Sequence, residues 1–148
     1  MVPKLVSLAN FPKKGIHLEG SVPLEAEVFE KGYVYSINKV LIDLYISKIE
    51  SIFFVKGLIE EELQLVCSRC LEPFTYKEKI EIYHRLQEEE DLQEDAFQII
   101  NEIFKPYDMV RELIDINLPM KPLCTENCKG LCSQCGANLN NEGCDCPK

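Results

Sequence analysis

Residues 122–146 read PLCTENCKGLCSQCGANLNNEGCDC and contain six of the eight cysteines in the chain. The other two form a CxxC pair far upstream, at Cys67 and Cys70. Two thiolates separated by two residues can hold one metal ion from a tight turn, and a glycine after the second cysteine supplies the positive φ that such a turn often needs. Cys132-Ser133-Gln134-Cys135-Gly136 has this pattern. The cysteine-rich tail is therefore predicted to fold around metal.

Zinc is the predicted metal, because a closed structural zinc site takes four ligands and thiolates suit it. The cysteines divide into one local set in the tail and a second set that would join the tail to the upstream pair. The predicted sets are Cys132, Cys135, Cys144 and Cys146, and Cys67, Cys70, Cys124 and Cys128. A different pairing, with Cys124 and Cys128 in the tail site, would leave one CxxC pair free. The sequence predicts one or two zinc ions, and it leaves open both the pairing and an iron–sulfur cluster, which also accepts four thiolates.

The tail has too few apolar residues to order itself. From Cys124 onward its only large aliphatic residues are Leu131 and Leu139. Structural zinc binding is worth an apparent ~10–16 kcal/mol in small domains, and that energy can order such a chain. We therefore expect residues 124–148 to be disordered without metal or disulfides in its place.

The rest of the chain is predicted to be mainly β. Alternation of apolar and polar residues with period two predicts strands at 4–9, at 16–28 with an interruption at Pro23, at 33–47 with a bulge near Leu41, and at 50–67, 74–86 and 97–104. The strand that contains Glu61, Leu63, Leu65 and Cys67 on one side is followed at once by a turn and a further strand. This order predicts that Cys67 and Cys70 lie at the tip of a hairpin.

One helix is predicted between Asp108, a candidate N-cap, and Pro119, which stops it. The predicted fold is mainly β (α+β), an antiparallel curved sheet or barrel-like domain with one C-terminal helix and a cysteine-rich metal-binding tail. The predicted division is a β-rich core at residues 1–120 and a zinc-binding tail at 121–148 packed on that core.

The formal charge of −9 is unevenly distributed along the chain. Residues 59–118 have a charge of −10, whereas residues 1–58 have +1 and residues 119–148 have 0. Nucleic-acid binding usually depends on Lys and Arg displacing counterions from phosphate, so non-specific binding is not expected. A basic protein partner is at least as natural. The acidic run at 87–95 is predicted to be a solvated loop.

Several classes of protein are not expected. No apolar run approaches the ~18–20 residues of a membrane helix, and the first ten residues lack the pattern of a signal peptide, so we expect a soluble, cytoplasmic protein without membrane contact. In a reducing cytoplasm, paired cysteines favour metal over disulfides. The chain has no glycine-rich phosphate loop, no HExxH and no GxSxG, and a redox CxxC normally lies at a helix N-terminus. We predict that it is not an enzyme.

Two cysteine motifs resemble those of a known family. Val66-Cys67-Ser68-Arg69-Cys70-Leu71-Glu72-Pro73-Phe74 and GLCxxCGxxLN at residues 130–140, together with the acidic stretch and the helix before Pro119, resemble the YceD-like proteins. These are named for accumulation of large-subunit ribosomal RNA and were long catalogued as a domain of unknown function. The resemblance covers most of residues 15–146. It implies a non-enzymatic ribosome biogenesis factor that supports processing or stability of 23S ribosomal RNA.

The partner implied by this resemblance is 23S ribosomal RNA or its precursor. A zinc knuckle can present side chains to unpaired RNA. The candidate RNA-binding residues are therefore basic residues beside the cysteines, together with a small basic turn: Lys13, Lys14, Arg69, Lys121 and Lys129. The alternative is an acidic adaptor or chaperone for a basic large-subunit ribosomal protein.

Overall fold

The structure is a computed structural model that describes residues 1–91, 93–141, 143–144 and 146, with the side chain of Asp91 left out. Parts of the predicted acidic loop and tail, at residues 92, 142, 145, 147 and 148, lie outside it. Its strands are β1 (Val6–Ser7), β2 (Ile16–Ser21), β3 (Val34–Ile49), β4 (Ile52–Val66), β5 (Pro73–Gln87), β6 (Ala96–Gln98) and β7 (Ile103–Phe104), and its helix is α1 (Pro106–Asn117). Short 3₁₀ turns occur at Ala26–Val28 and Glu89–Asp91.

The main sheet has five strands in the order β2-β3-β4-β5-β6. Neighbouring strands are antiparallel except β5 and β6, which are parallel over three residue pairs. A second, two-stranded sheet pairs β1 with β7. Within the described residues the sheet does not close into a barrel. The mainly β fold with one helix is confirmed.

One face of the sheet is buried because β3, β4 and β5 place an apolar side chain at nearly every second position. The buried residues on this face include Ile42, Leu44, Ile46, Val55, Ile59, Leu63, Leu65, Ile80 and Ile82. Helix α1 adds Met109, Val110, Leu113 and Ile114 to the same core cluster. The core thus lies between the sheet and α1. The cysteine-rich tail follows α1 in the chain.

Three local details differ from the sequence-based predictions. The register of β3 against β4 shifts at Tyr35 and Asn38 rather than near Leu41. The predicted strand at 97–104 is two short strands, β6 and β7, in different sheets. The N-cap of α1 is Lys105 rather than Asp108, because Pro106 occupies the first helical turn. The N–H groups of that turn have no acceptor within the helix, so a residue without an N–H is well tolerated there.

Candidate metal centres

Four cysteines meet at the tip of the β4–β5 hairpin and form what we call the hairpin site: Cys67, Cys70, Cys124 and Cys128. Their Sγ atoms all lie within 4.8 Å of one another. The Cys67–Cys128 and Cys70–Cys124 Sγ distances are both 3.7 Å. Cys67, Cys70 and Cys128 are buried, and Cys124 is half-buried. The hairpin tip predicted from the strand pattern is confirmed.

Backbone hydrogen bonds shape the hairpin turn and fasten the tail to it. Within the turn, the Leu71 amide donates to the Cys67 carbonyl at 3.0 Å. Between the turn and the tail, the Ser68 amide donates to the Pro122 carbonyl at 2.8 Å, and the Arg69 guanidinium donates to the Cys128 carbonyl at 3.0 Å. The hairpin site is therefore assembled from two distant parts of the chain that are already in contact through their backbones.

The other four cysteines form what we call the tail site: Cys132, Cys135, Cys144 and Cys146. Their Sγ atoms also lie within 4.8 Å of one another. The Sγ distances are 3.2 Å from Cys144 to Cys132 and 3.4 Å from Cys135 to Cys144. This site is more open than the hairpin site, since Cys135 is exposed and the other three are half-buried. Of the pairings that the sequence left open, the structure brings together one local tail set and one set shared with the core.

The turns in both sites aim backbone amides at sulfur. Burial opposes ionisation of Cys67, but the backbone N–H groups of Cys70, Cys124 and Arg69 outweigh it and lower its thiol pKa to about 6. Backbone N–H groups of Cys135 and Gln134 likewise lower the pKa of Cys132 to about 6. Each site thus favours a thiolate.

Other cysteines resist ionisation because of burial or of a neighbouring thiol. Burial and the neighbouring Cys128 raise the pKa of Cys124 to about 12. In the tail site, the hydrogen bond with Cys132 raises the pKa of Cys144 to about 12. Four sulfur atoms this close cannot all carry a negative charge in the absence of a cation. A divalent ion at the centre would remove this conflict.

The donor sets fit a single four-coordinate ion. A zinc–sulfur distance of about 2.3 Å in a regular tetrahedron places the sulfur atoms about 3.8 Å apart. The two Sγ–Sγ distances of 3.7 Å in the hairpin site agree with this sulfur–sulfur separation. The Sγ–Sγ distances in the tail site, 3.4 and 3.2 Å, are somewhat shorter. All eight cysteines are free thiols. The sulfur atoms enclose room for one ion rather than for a cluster of several irons with bridging sulfides.

A third group of potential ligands lies on the opposite face of the sheet from the core. The His17 ring Nε2 is 2.6 Å from Asp43 Oδ1 and 3.9 Å from Glu19 Oε2. The three side chains are exposed, and Asp43 raises the pKa of His17 by hydrogen bonding to it. This arrangement is explained by an ordinary surface ion pair.

The structure divides the predicted RNA-binding residues into two groups. Arg69, Lys121 and Lys129 adjoin the hairpin site, since Arg69 binds the Cys128 carbonyl and Lys121 precedes Pro122. Lys13 and Lys14 lie in an exposed turn whose Lys14 carbonyl accepts a hydrogen bond from the Tyr45 hydroxyl. Tyr45 pairs with Lys56 on β4, about ten residues from the hairpin tip, a distance of roughly 30 Å at ~3.3 Å per residue. The five residues therefore do not form one surface.

Sequence reasoning missed polar residues that support the sites from outside. Asn140 donates from Nδ2 to the Cys128 Sγ at 3.2 Å, and this hydrogen bond is the main reason that the pKa of Cys128 is lowered. Lys31 donates to the Asp115 carbonyl at 2.6 Å, and the Tyr33 hydroxyl donates to the Pro119 carbonyl, so the end of α1 is fixed to the segment that leads into β3. The GLCxxCGxxLN motif contains Asn140, but nothing in its spacing indicates that it contacts a cysteine of the other site.

The fold and the two sulfur clusters define a class of protein: a β domain whose hairpin and C-terminal tail are joined by cysteines suited to metal. Residues 55–148 match the family described as large ribosomal RNA subunit accumulation protein YceD. The chain belongs to this family. The matched region begins within β4 and includes every cysteine of both sites.

Individual relatives are similar to the chain over part of their own length. An uncharacterised protein of Mycobacterium tuberculosis is 23% identical over 133 residues, which cover 86% of this chain and 62% of the relative. The chloroplastic YCED homolog 1 of Arabidopsis thaliana, described as a large ribosomal RNA subunit accumulation protein, is 43% identical over 37 residues, or 25% of this chain and 12% of that protein. The Zea mays homolog is 45% identical over 38 residues, which cover 25% of this chain and 13% of that protein.

The chain thus spans 62% of the length of its mycobacterial relative. No solved structure matches the chain. Among the described residues, no helix is both long and apolar enough to cross a membrane.

Proposed function

We propose that the chain is a non-enzymatic ribosome biogenesis factor that acts on 23S ribosomal RNA or its precursor in the cytoplasm. The observation that carries this proposal is membership of a family named for accumulation of large-subunit ribosomal RNA. The similarity of both plant homologs, whose names carry the same description, supports it.

The proposed role of metal is structural. Two zinc ions, one in each four-cysteine site, would neutralise the crowded sulfurs and hold the tail against the core. Closed four-thiolate sites leave no open position at which zinc could activate water, which supports a binding protein rather than an enzyme.

The proposed RNA contact is the hairpin tip. Arg69, Lys121 and Lys129 gather around the hairpin site in a chain with a formal charge of −9. The metal site would fix their backbones, so that they meet unpaired RNA with little loss of conformational freedom. The Arg69 side chain also hydrogen-bonds to the Cys128 carbonyl, so a substitution there would disturb the hairpin site. Substitutions of the two lysines therefore test RNA binding more directly.

A crosslinked pull-down from the native cells tests this function. The tagged protein is recovered with and without nuclease, and both RNA and proteins are identified. We expect enrichment of 23S precursor that is lost with nuclease. Two charge-matched variants locate the contact: Lys121→Glu with Lys129→Glu at the hairpin tip, and Lys13→Glu with Lys14→Glu in the distant turn. Loss of crosslinking in the first variant alone supports the hairpin tip, whereas loss in the second alone contradicts it.

The second candidate function is an acidic adaptor for a basic ribosomal protein. Residues 59–118 have a charge of −10, which favours such a partner. Several of these acids are already compensated, as Glu60 lies near Lys79 and Glu62 near Lys39. Glu88 accepts hydrogen bonds from the amides of Asn101 and Glu102.

The acidic residues without such partners, which could bind a basic protein, are concentrated in the loop after β5. Glu89, Glu90, Glu94 and Asp95 are exposed and form no salt bridge within the described residues. A basic ribosomal protein that stays bound after nuclease treatment, and is lost when these four are changed to Gln or Asn, would favour the adaptor. Recovery of neither RNA nor such a protein would contradict both functions.

A further inference from the structure

Asn140 belongs to the tail-site segment but contacts a ligand of the hairpin site. Its Nδ2 donates to Cys128 Sγ at 3.2 Å, and its Oδ1 accepts from the Lys129 amide at 2.9 Å. Cys128 is only 3% exposed, so its sulfur is shielded from water, and the backbone N–H of Gly130 is a second donor to it. Both ends of one side-chain amide therefore contact residues 128–129, and the Nδ2 also donates to Asn138 Oδ1 at 3.0 Å.

The position of Asn140 depends on the fold of the tail site. Asn140 follows Cys135 and precedes Cys144, two cysteines of that site. Its amide donates to Asn138 Oδ1 at 3.0 Å, and the neighbouring Leu139 amide donates to the Gly130 carbonyl at 2.9 Å. A β-bridge between Leu131 and Asn138 closes the same small loop. This loop contains almost no apolar side chain, so its order depends on the sulfur ligands on either side of it.

We infer that Asn140 couples the two sites, so that metal in the tail site strengthens metal binding at the hairpin site. An N–H donor stabilises an ionised sulfur ligand, and partners that support a metal ligand from outside are typically worth 10- to 100-fold in metal affinity. When the tail site folds around its ion, it fixes the donor on Cys128. Because coupling between binding sites is reciprocal, metal in the hairpin site strengthens the tail site by the same factor.

This inference rests on the proposed binding of two metal ions. Asn140→Asp is the most direct probe, because aspartate keeps an oxygen that can accept from the Lys129 amide but replaces the N–H donor with a carboxylate oxygen facing the sulfur. Asn141→Asp is its control. It makes the same change at the next residue, which is exposed and whose backbone amide bonds to Asn138.

The experiment uses the full chain loaded with ¹¹³Cd and followed by NMR, in which each four-thiolate site gives its own resonance. Cys67→Ser and Cys144→Ser assign the two resonances, and a competing chelator then measures the affinity of each site. We expect Asn140→Asp to weaken the hairpin site by ~10- to 100-fold and to shift its resonance, while Asn141→Asp changes its affinity less than about twofold.

A second comparison tests the coupling itself. With the tail site removed by Cys144→Ser and Cys146→Ser, the hairpin site should be weaker, and Asn140→Asp should then have little further effect. Equal affinities in the Asn140 and Asn141 variants, or an undiminished Asn140 effect without the tail site, would overturn the inference while leaving two metal sites in place. Absence of ¹¹³Cd resonances from the unaltered chain would instead overturn the proposed metal binding.

Discussion

Leu71 and Gly136 occupy the same place in two equivalent cysteine turns. Each follows the second cysteine of a CxxC pair, and each donates its amide to the carbonyl of the first cysteine, at 3.0 Å for Leu71 and 2.9 Å for Gly136. Both have left-handed backbone, with φ of 62° at Leu71 and 77° at Gly136. The two turns are thus built alike, although only one contains the glycine that this conformation favours.

The first prediction concerns Leu71. A left-handed residue with a side chain costs about 1–2 kcal/mol, whereas glycine costs about 0.5–1 kcal/mol through the entropy of the unfolded chain. Because Leu71 is 60% exposed and loses little packing, we expect Leu71→Gly to raise the free energy of unfolding by up to about 1 kcal/mol, measured in urea with metal present. Leu71→Ala is the control and should change little. A marked loss of stability in the glycine variant would contradict this view of the turn.

The second prediction concerns Gly136. No atom lies within 4 Å of a Cβ placed there, so only backbone strain opposes a side chain. The lower entropy of an unfolded chain with alanine partly offsets this strain, as at Leu71, so we expect Gly136→Ala to weaken metal binding at the tail site by up to roughly 5-fold, equivalent to about 1 kcal/mol. Gly143→Ala has equally open surroundings, without a left-handed φ, and should have no such effect. Equal metal affinities in the two variants, measured against a chelator, would contradict the prediction.

The third prediction concerns Glu61, a buried carboxyl in the middle of β4. It is 3% exposed, and neither oxygen has a hydrogen-bond partner among the residues that the structure describes. Burial, with a smaller effect of Glu78, raises its pKa from 4.5 to about 7. We expect Glu61→Met to stabilise the protein by roughly 1–3 kcal/mol at pH 8, where the native carboxyl is charged.

The pH dependence of that gain has a definite sign. Because the pKa of Glu61 is higher in the folded state, the folded protein holds the proton more tightly, and its relative stability falls as pH rises from about 4.5 to about 7. The advantage of Glu61→Met should therefore shrink as pH falls from 8 to 5. Glu60→Met, on the opposite face beside Lys79, is the control. A gain that is the same at every pH would show that Glu61 titrates normally.

The fourth prediction concerns the close approach of β3 and β4 at Gly57. Its φ is 152°, and a Cβ would overlap the Asp43 carbonyl and lie 2.9 Å from Leu44 Cα. These are backbone atoms of the paired strand and cannot move aside alone. We expect Gly57→Ala to cost at least about 3 kcal/mol or to prevent folding, whereas Gly32→Ala, with open space around it, should be nearly neutral. Similar urea midpoints for the two variants would contradict the register of β3 against β4.

The parts of the fold that were predictable depend on local periodicity. Glu61, Leu63 and Leu65 alternate along β4, and Cys67 continues the pattern just after its end, so the pattern alone indicates a strand that leads to Cys67 at a hairpin tip. The parallel pairing of β6 was not predictable, because a three-residue strand carries no period. It is held by contacts across the acidic loop, such as the 2.9 Å hydrogen bond from His84 Nδ1 to the Asp95 carbonyl.

The candidate sites were predictable in composition but not in assembly. Cysteine spacing identified all eight sulfur atoms, whereas the grouping of Cys124 and Cys128 with the hairpin depends on the path of the chain after α1. That path is set by the Pro122 carbonyl and the Arg69 side chain, whose contacts no spacing encodes. The predicted bulge near Leu41 is wrong, and the register shifts lie at Tyr35 and Asn38 instead. A bulge is a mismatch between two paired strands, and the periodicity of one strand does not show where its partner pairs with it.

Hydrogen exchange gives a direct view of how the tail depends on metal. On chelation we expect the amides of residues 124–141 to lose protection, because Leu131 and Leu139 bury too little apolar surface to hold this segment. Amides of β3, β4 and α1 should stay protected, since the core cluster contains no cysteine. Uniform loss of protection across the chain would contradict a separate structural role for the metal.

Native mass spectrometry of the protein, purified from its own cells without added metal or chelator, tests the two metal sites most directly. We expect two zinc ions for each chain with eight reduced cysteines, and one ion fewer in Cys67→Ser with Cys70→Ser. A chain without metal whose cysteines form disulfides, or a mass that requires iron and inorganic sulfide, would contradict this expectation.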